Sequence, residues 1–299
     1  MDTWPSPIGD SCEFRWLHFD VADKNFAEWA HAMLPPIAAK ALVQSETRPR
    51  CERLDSGIVL NLRGVNLNPE ASPEDMVSLR LWIASGNVVS ARVRKVFAAD
   101  TMRQAAERGE GPREIGAFVS ELVYRLAKRI EAVSLEIEDE VDRYEEAMLE
   151  GVSAASVDIG RYRQTTIKLR RYISPQREAL DALSGDGTEI LGREACQLIH
   201  ETANRTRRSL EELDAARDRL TAIQDHVDAS QANALARNSY LLSIVAAVFL
   251  PLGFLTGLFG VNVAGMPGTS EPLAFWMLTI SSVVVGLVVF LALKLSRWM

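Results

Sequence analysis

The side chains of this chain with chemistry to offer are few. Asn262 follows Gly260 and Val261 directly, at the end of an uncharged run over residues 239–260. A carboxamide in that place has an oxygen that accepts hydrogen bonds and an NH2 that donates them. Taken alone, the same asparagine is a helix C-cap. Cys196 and His200 stand four apart, with Glu201 adjacent, so a helix sets them on one face as a partial metal site that a neighbouring copy would have to complete. Two ligands are not a site, and a packed or solvated pair is the favoured reading; His226 with Asp225 or Asp228 is in the same position. Glu136, Glu138, Asp139 and Glu140 could draw in cations or hold a regulatory ion, but a solvated helix face accounts for them better. There is no P-loop, no G-x-G-x-x-G after a strand, no G-x-S-x-G and no H-E-x-x-H, so neither an enzyme nor coupling to ATP is expected.

The elements that must position these groups begin with the apolar run itself. At about 1.5 Å of rise per residue it is as long as a bilayer core is thick, and so is a second run over residues 273–293. The short polar segment between them makes a membrane hairpin. Arg237 precedes the first crossing, Lys294 and Arg297 follow the second, and the connecting loop carries only Glu271, so the positive-inside bias puts both ends in the cytoplasm. Trp276 and Trp298 suit interfacial anchors, and ordinary packing explains them nearly as well. A single hairpin cannot enclose a water path, whereas several copies around a closed axis could line one with the first crossing. Its small or hydroxylated residues, Ala246, Gly253 and Thr256 among them, equally suit close helix packing in lipid.

The other residues behave as a soluble protein. Of the 299 residues, 47% are hydrophobic and 24% charged, the apolar excess lying in the last sixty or so. A net charge of -7 argues against nucleic acid as partner, and Asp2 with no apolar segment behind it does not resemble a signal peptide. Cys12, Cys51 and Cys196 lack C-x-x-C spacing and suit free thiols in a reducing cytosol. Residues 1–111 are expected to form an α/β domain, with strands over 14–19, 53–62, 77–84 and 88–96. A helix over 25–34 is ended by Pro35 and Pro36, and a turn at Ser85-Gly86-Asn87 pairs the last two strands. Residues 112–238 change to helical period. The expected helices run from Pro112 to Gly151, from Ile159 through a kink or break at Pro175 to the glycines at 185 and 187, and from Thr188 onward. The last keeps heptad spacing through Ile199, Thr202, Thr206, Ser209, Leu213, Ala216, Leu220, Ile223, Val227, Ser230 and Ala234, and runs as a stalk into the membrane part, residues 239–299.

Pro251-Leu-Gly-Phe-Leu-Thr-Gly-Leu-Phe-Gly-Val-Asn262, then Met266-Pro267 and a second crossing ending in Lys294 and Arg297, resembles the signature of the CorA family of two-helix divalent-metal transporters. Members carry Gly-Met-Asn or a close variant where this chain has Gly260-Val261-Asn262, and the variant is similar to the zinc-transport (ZntB) branch. The resemblance implies a homopentameric, funnel-shaped transporter of a bacterial-type inner membrane, with an α/β cytoplasmic domain, long stalk helices and two C-terminal transmembrane helices. It implies no resident cofactor. The cargo would be zinc by proton-coupled uptake, with magnesium, cobalt, nickel and cadmium as the wider set. By the family pattern, Asn262 rings the outer mouth, Leu242 and Leu250 form an apolar constriction that gates by dewetting, and Lys294 and Arg297 form a basic collar. A packed leucine, and a topology or headgroup role for the bases, remain open beside these. Ala264 and Gly268 stand where magnesium-type members carry acidic residues, which favours zinc and weakens cation capture. The alternatives are a magnesium or cobalt channel and, from another class, a non-conducting membrane-anchored scaffold or sensor.

Overall fold

In the computed structural model, residues 2–4, 14–44, 47–150, 159–261, 268 and 271–295 are described. The chain divides into two compact units, Met1–Gln224 and Asp225–Met299. The first is built on strands β1 (Asp2–Trp4), β2 (Arg15–Asp20), β3 (Arg50–Leu54), β4 (Gly57–Gly64), β5 (Val77–Ala84) and β6 (Asn87–Arg92), which form one sheet in the order β1-β2-β6-β5-β4-β3. Among the described residues only the β2–β6 pair is parallel. Helices α1 (Phe26–Met33) and α2 (Pro36–Val43) connect β2 to β3, and α3 (Phe97–Glu107), α4 (Ile115–Leu149), α5 (Ile159–Asp186), α6 (Thr188–Leu191) and α7 (Arg193–Gly260) follow β6.

Period-two patterning decides which side of the sheet each residue serves. On β5, Leu79, Leu81 and Ile83 join Leu60 and Leu62 of β4 in a core that takes in Phe118, Leu122 and Leu126 of α4 and Ile199 of α7. Trp82 and Val59 look the other way, onto Phe26 and Ala30 of α1 and Leu42 of α2. Each of these large side chains is almost wholly buried, worth roughly 2 kcal/mol apiece by the area it removes from water. The sheet is therefore covered on both faces.

The strand expected over 53–62 is instead two, β3 and β4, joined by a two-residue turn at Asp55-Ser56 with Leu54 facing Gly57. The turn chemistry of Asp-Ser-Gly outweighs the apolar run around it. Gly57 is required there, since a Cβ would stand 2.5 Å from the Ile83 carbonyl oxygen. Strand β6 stops at Arg92 rather than Val96: Asp20, the last residue of β2, stands opposite Arg92 on one side, while β5 runs two residues past Leu79 on the other. Pro35-Pro36 does end α1, but Pro36, with its φ preset and no N–H to lose, also opens α2. Helix α5 runs unbroken past Pro175. The long third helix starts at Arg193, not Thr188, because Gly192 takes a φ of 82° and separates the short α6 from it.

From Arg193 the helix continues to Gly260. In the first unit the heptad seam from Ile199 to Ile223 is buried, and its two threonine hydroxyls are satisfied within the helix: Thr202 Oγ1 donates to the Leu198 carbonyl at 2.8 Å and Thr206 Oγ1 to that of Thr202 at 2.9 Å. Such back-bonding lets threonine occupy a seam without a cross-helix partner. Val227 is half-buried, and Ser230 and Ala234 are exposed. The second unit holds the remainder of α7 and helix α8 (Ala274–Leu295). Both are long and apolar enough to cross a membrane.

Candidate ion pathway

The first crossing is a helix without a charge, and it carries the expected pathway residues on one stripe. At about 100° per residue, Leu242, Ala246, Leu250, Gly253, Thr256 and Gly260 fall within an arc of roughly 120°. Leu242 and Leu250 are 72% and 71% exposed, so neither spends its side chain on packing within the chain. Ala246, Gly253 and Thr256 are exposed as well. Thr256 Oγ1 donates to the Leu252 carbonyl at 2.9 Å, which commits its proton within the helix. A Cβ on Gly253 or Gly260 would meet nothing within 4 Å, so these glycines are open to close approach by another helix. Gly260 ends α7, Val261 follows as an exposed bend, and Asn262 lies outside the described residues. Gly268, beyond it, has a φ of 91°. An acidic residue there would be strained, so the missing loop charge at this position coincides with a backbone requirement. Lys294 is exposed in the last turn of α8, and Arg297 also lies outside the described residues.

The two residues of the expected metal pair differ in burial. Cys196 is buried in the core, where Thr188 Oγ1 approaches its Sγ at 3.8 Å, whereas His200 is exposed. Among the described residues no group of three His, Cys, Asp or Glu side chains could hold a metal. Cys51 and Cys196 are free thiols, and burial, with the Asp186 carboxylate second, pushes the Cys51 thiol up to about 12. Cys12 lies outside the described residues.

Long-range ion pairs on α4 and α7, invisible in the periodicity of either helix, hold the two together. Arg219 grips Asp142 and Glu145 at once, and the hydrogen bond from Arg219 holds the Glu145 carboxyl below its ordinary range. Of the acidic cluster, Glu140 is paired with Arg143, while Glu138 faces Glu212. Glu212 is the uncomfortable member. Its Oε2 is buried without a hydrogen bond, and burial, then the Glu138 and Glu131 carboxylates, raise its pKa. A carboxyl raised above its unfolded value opposes folding while ionised and ceases to once protonated. Glu212→Gln is thus expected to raise stability by roughly 0.5 kcal/mol at pH 7. The gain should vanish as pH falls below the unfolded carboxylate range, as thermal melts of both proteins at pH 7 and pH 4 would register.

The whole chain has counterparts of known kind. Residues 11–295 match the model of the CorA-like Mg2+ transporter protein family. The zinc transport protein ZntB of Yersinia enterocolitica is 32% identical over 297 residues, covering 99% of this chain and 91% of that protein. The divalent cation transporter CmaX of Pseudomonas aeruginosa is 36% identical over 273 residues, covering 89% and 81%. The solved structure of the full-length CmaX protein superposes with a TM-score of 0.84 at 32% identity, over 96% of this chain and 89% of that one.

Proposed function

This chain belongs to the CorA family of divalent-cation transporters, and from that premise we propose that it carries zinc across the membrane through a pore lined by α7. The family is one of transporters and not of enzymes, and membership sets aside the non-conducting scaffold. The observation that carries the proposal is the exposed stripe from Leu242 to Gly260 on the uncharged end of α7, residues 239–260, which leads straight into Val261-Asn262. In this reading five copies close around an axis and Leu242 and Leu250 form a dry constriction. Asn262 handles the hydrated ion at the outer mouth, and Lys294 with Arg297 forms the inner collar. Residues 1–111 and 112–238 are the cytoplasmic α/β and helical parts and 239–299 the membrane part. Both termini lie inside a bacterial-type inner membrane, as the bases flanking each span favour.

Zinc is favoured over magnesium by the ZntB relative and by an outer loop whose one acidic residue is Glu271. The CmaX relative supports a wider reading in which magnesium or cobalt also passes. Purified protein in liposomes, loaded with zinc, magnesium or cobalt with and without a proton gradient, separates the two. Zinc flux should exceed magnesium flux and rise with an inward proton gradient. Equal rates for all three ions, unmoved by the gradient, would leave the wider reading standing, and no flux at all would sink both.

A further inference from the structure

We propose that a cleft in the first unit, at the ends of β4 and β5, is a binding site for a soluble anion carrying two or more phosphoryl groups. The chain as a whole is acidic, at -7, yet five bases line this cleft of about 850 Å3: Arg48, Arg63, Arg94, Lys168 and Arg171. Only Glu74 and Asp75 oppose them among its described lining, an excess of three positive charges in a concave place where field lines concentrate. The bases come from separate segments of the chain, on β4, just past β6 and on α5, so the cluster is made by the fold and not by a run in the sequence.

The cleft is built around a fixed charge. Arg63 donates through Nη1 to the Met76 carbonyl at 2.7 Å and through Nη2 to that of Thr47 at 2.9 Å, and its guanidinium lies 4.2 Å over the Tyr172 ring. Its backbone N–H is held by Gln176 Oε1 at 2.6 Å. Beside it Arg80 is fully buried, its pKa lowered first by burial and then by the charge of Arg63, so two guanidiniums bear on each other here. A bound anion would relieve that repulsion. Arg94 and Arg171, in contrast, are exposed and make no ion pair among the described residues. Lys168 stands 3.7 Å from both Glu74 and Asp75, a loose arrangement from which a stronger anion could draw it.

These features select the ligand. Two resident carboxylates leave little for a singly charged ion to gain, while the guanidinium forks suit the paired oxygens of phosphoryl groups. Tyr172, the aromatic residue of the lining, is already engaged by Arg63 and by Arg171 at 5.7 Å, so recognition is by charge and not by stacking of a base. The volume falls within the roughly 300–1,000 Å3 of small-molecule sites. This site is independent of the transport reading and stands if that reading falls.

Titration of the full chain in detergent and EDTA with sodium pyrophosphate, orthophosphate and chloride at constant ionic strength tests it. Pyrophosphate should bind saturably and at least about tenfold tighter than orthophosphate, as a second phosphoryl group adds charge-assisted bonds. Arg94→Gln and Arg171→Gln should each weaken it by about tenfold without moving the ligand-free melting temperature, while Lys24→Gln, exposed and outside the cleft, should leave it unchanged. No saturable pyrophosphate heat, or an affinity that the Arg94 and Arg171 variants share with the native chain, would overturn the assignment.

Discussion

Asn262→Ala is expected to cut divalent-cation flux at least tenfold, about what losing one to two hydrogen bonds costs, while the oligomer still elutes at its native size. The reasoning starts from what the first crossing lacks. With no charge along 239–260, nothing in the helix can strip a divalent ion of its water, so the ion must approach hydrated and be held by groups that bond to its shell. The Asn262 amide is the first such group beyond the apolar stripe. In the proposed pentamer each copy repeats the loss. Asn262→Asp sharpens the test: a carboxylate ring should bind the ion more tightly yet release it slowly, so apparent affinity rises as maximal flux falls. Were Asn262 only a helix cap, the alanine variant would lose stability or assembly instead, and the assembled fraction would transport zinc at the native rate.

The membrane part was legible in the sequence because its signals are long and one-dimensional. An uncharged run of helical length, basic flanks and a glycine-bounded loop need no knowledge of what packs where. The same holds for α4, whose apolar residues from Phe118 to Val141 recur at three- and four-residue steps and are buried. What the sequence hid depends on contacts between distant segments. The turn at Asp55-Ser56 lay inside an apolar run that looks like one strand until Gly57 meets Ile83. Periodicity sees neither the three-residue β1, which is too short to alternate, nor the grip of Arg219 on α4. Cys196 and His200 differ in burial for a related reason. Spacing of four places two residues near one face, but the sheet core claims only the cysteine, and the histidine falls on the exposed side of the boundary. The basic cleft was invisible because its bases are scattered from Arg48 to Arg171 through an acidic chain.

The largest stability effect expected in the first unit is at Gly116, in the first turn of α4. A Cβ there would lie 2.0 Å from the Leu191 carbonyl oxygen and 2.8 Å from Ala195 Cβ. Leu191 closes α6, Gly192 reverses the chain at φ 82°, and α7 begins at Arg193, so the first turn of α4 rests on the backbone of the junction that launches the long helix. A side chain could swing aside, but this carbonyl is backbone at the end of α6, so the whole junction must move. Overpacking of this kind costs about 1–3 kcal/mol and occasionally more, against which alanine returns about 1 kcal/mol of helix propensity. Gly116→Ala is expected at the upper end of that cost, lowering the melting temperature of the α/β unit by roughly 5 °C. Gly185→Ala, near the end of α5 with nothing within 4 Å of its Cβ, should leave it unchanged or slightly raised. Near-ultraviolet circular dichroism, dominated by tryptophans such as the buried Trp16 and Trp82, follows that unit in the full chain. Equal melting temperatures for the two variants would mean that α4 does not rest on this junction as closely as the geometry requires.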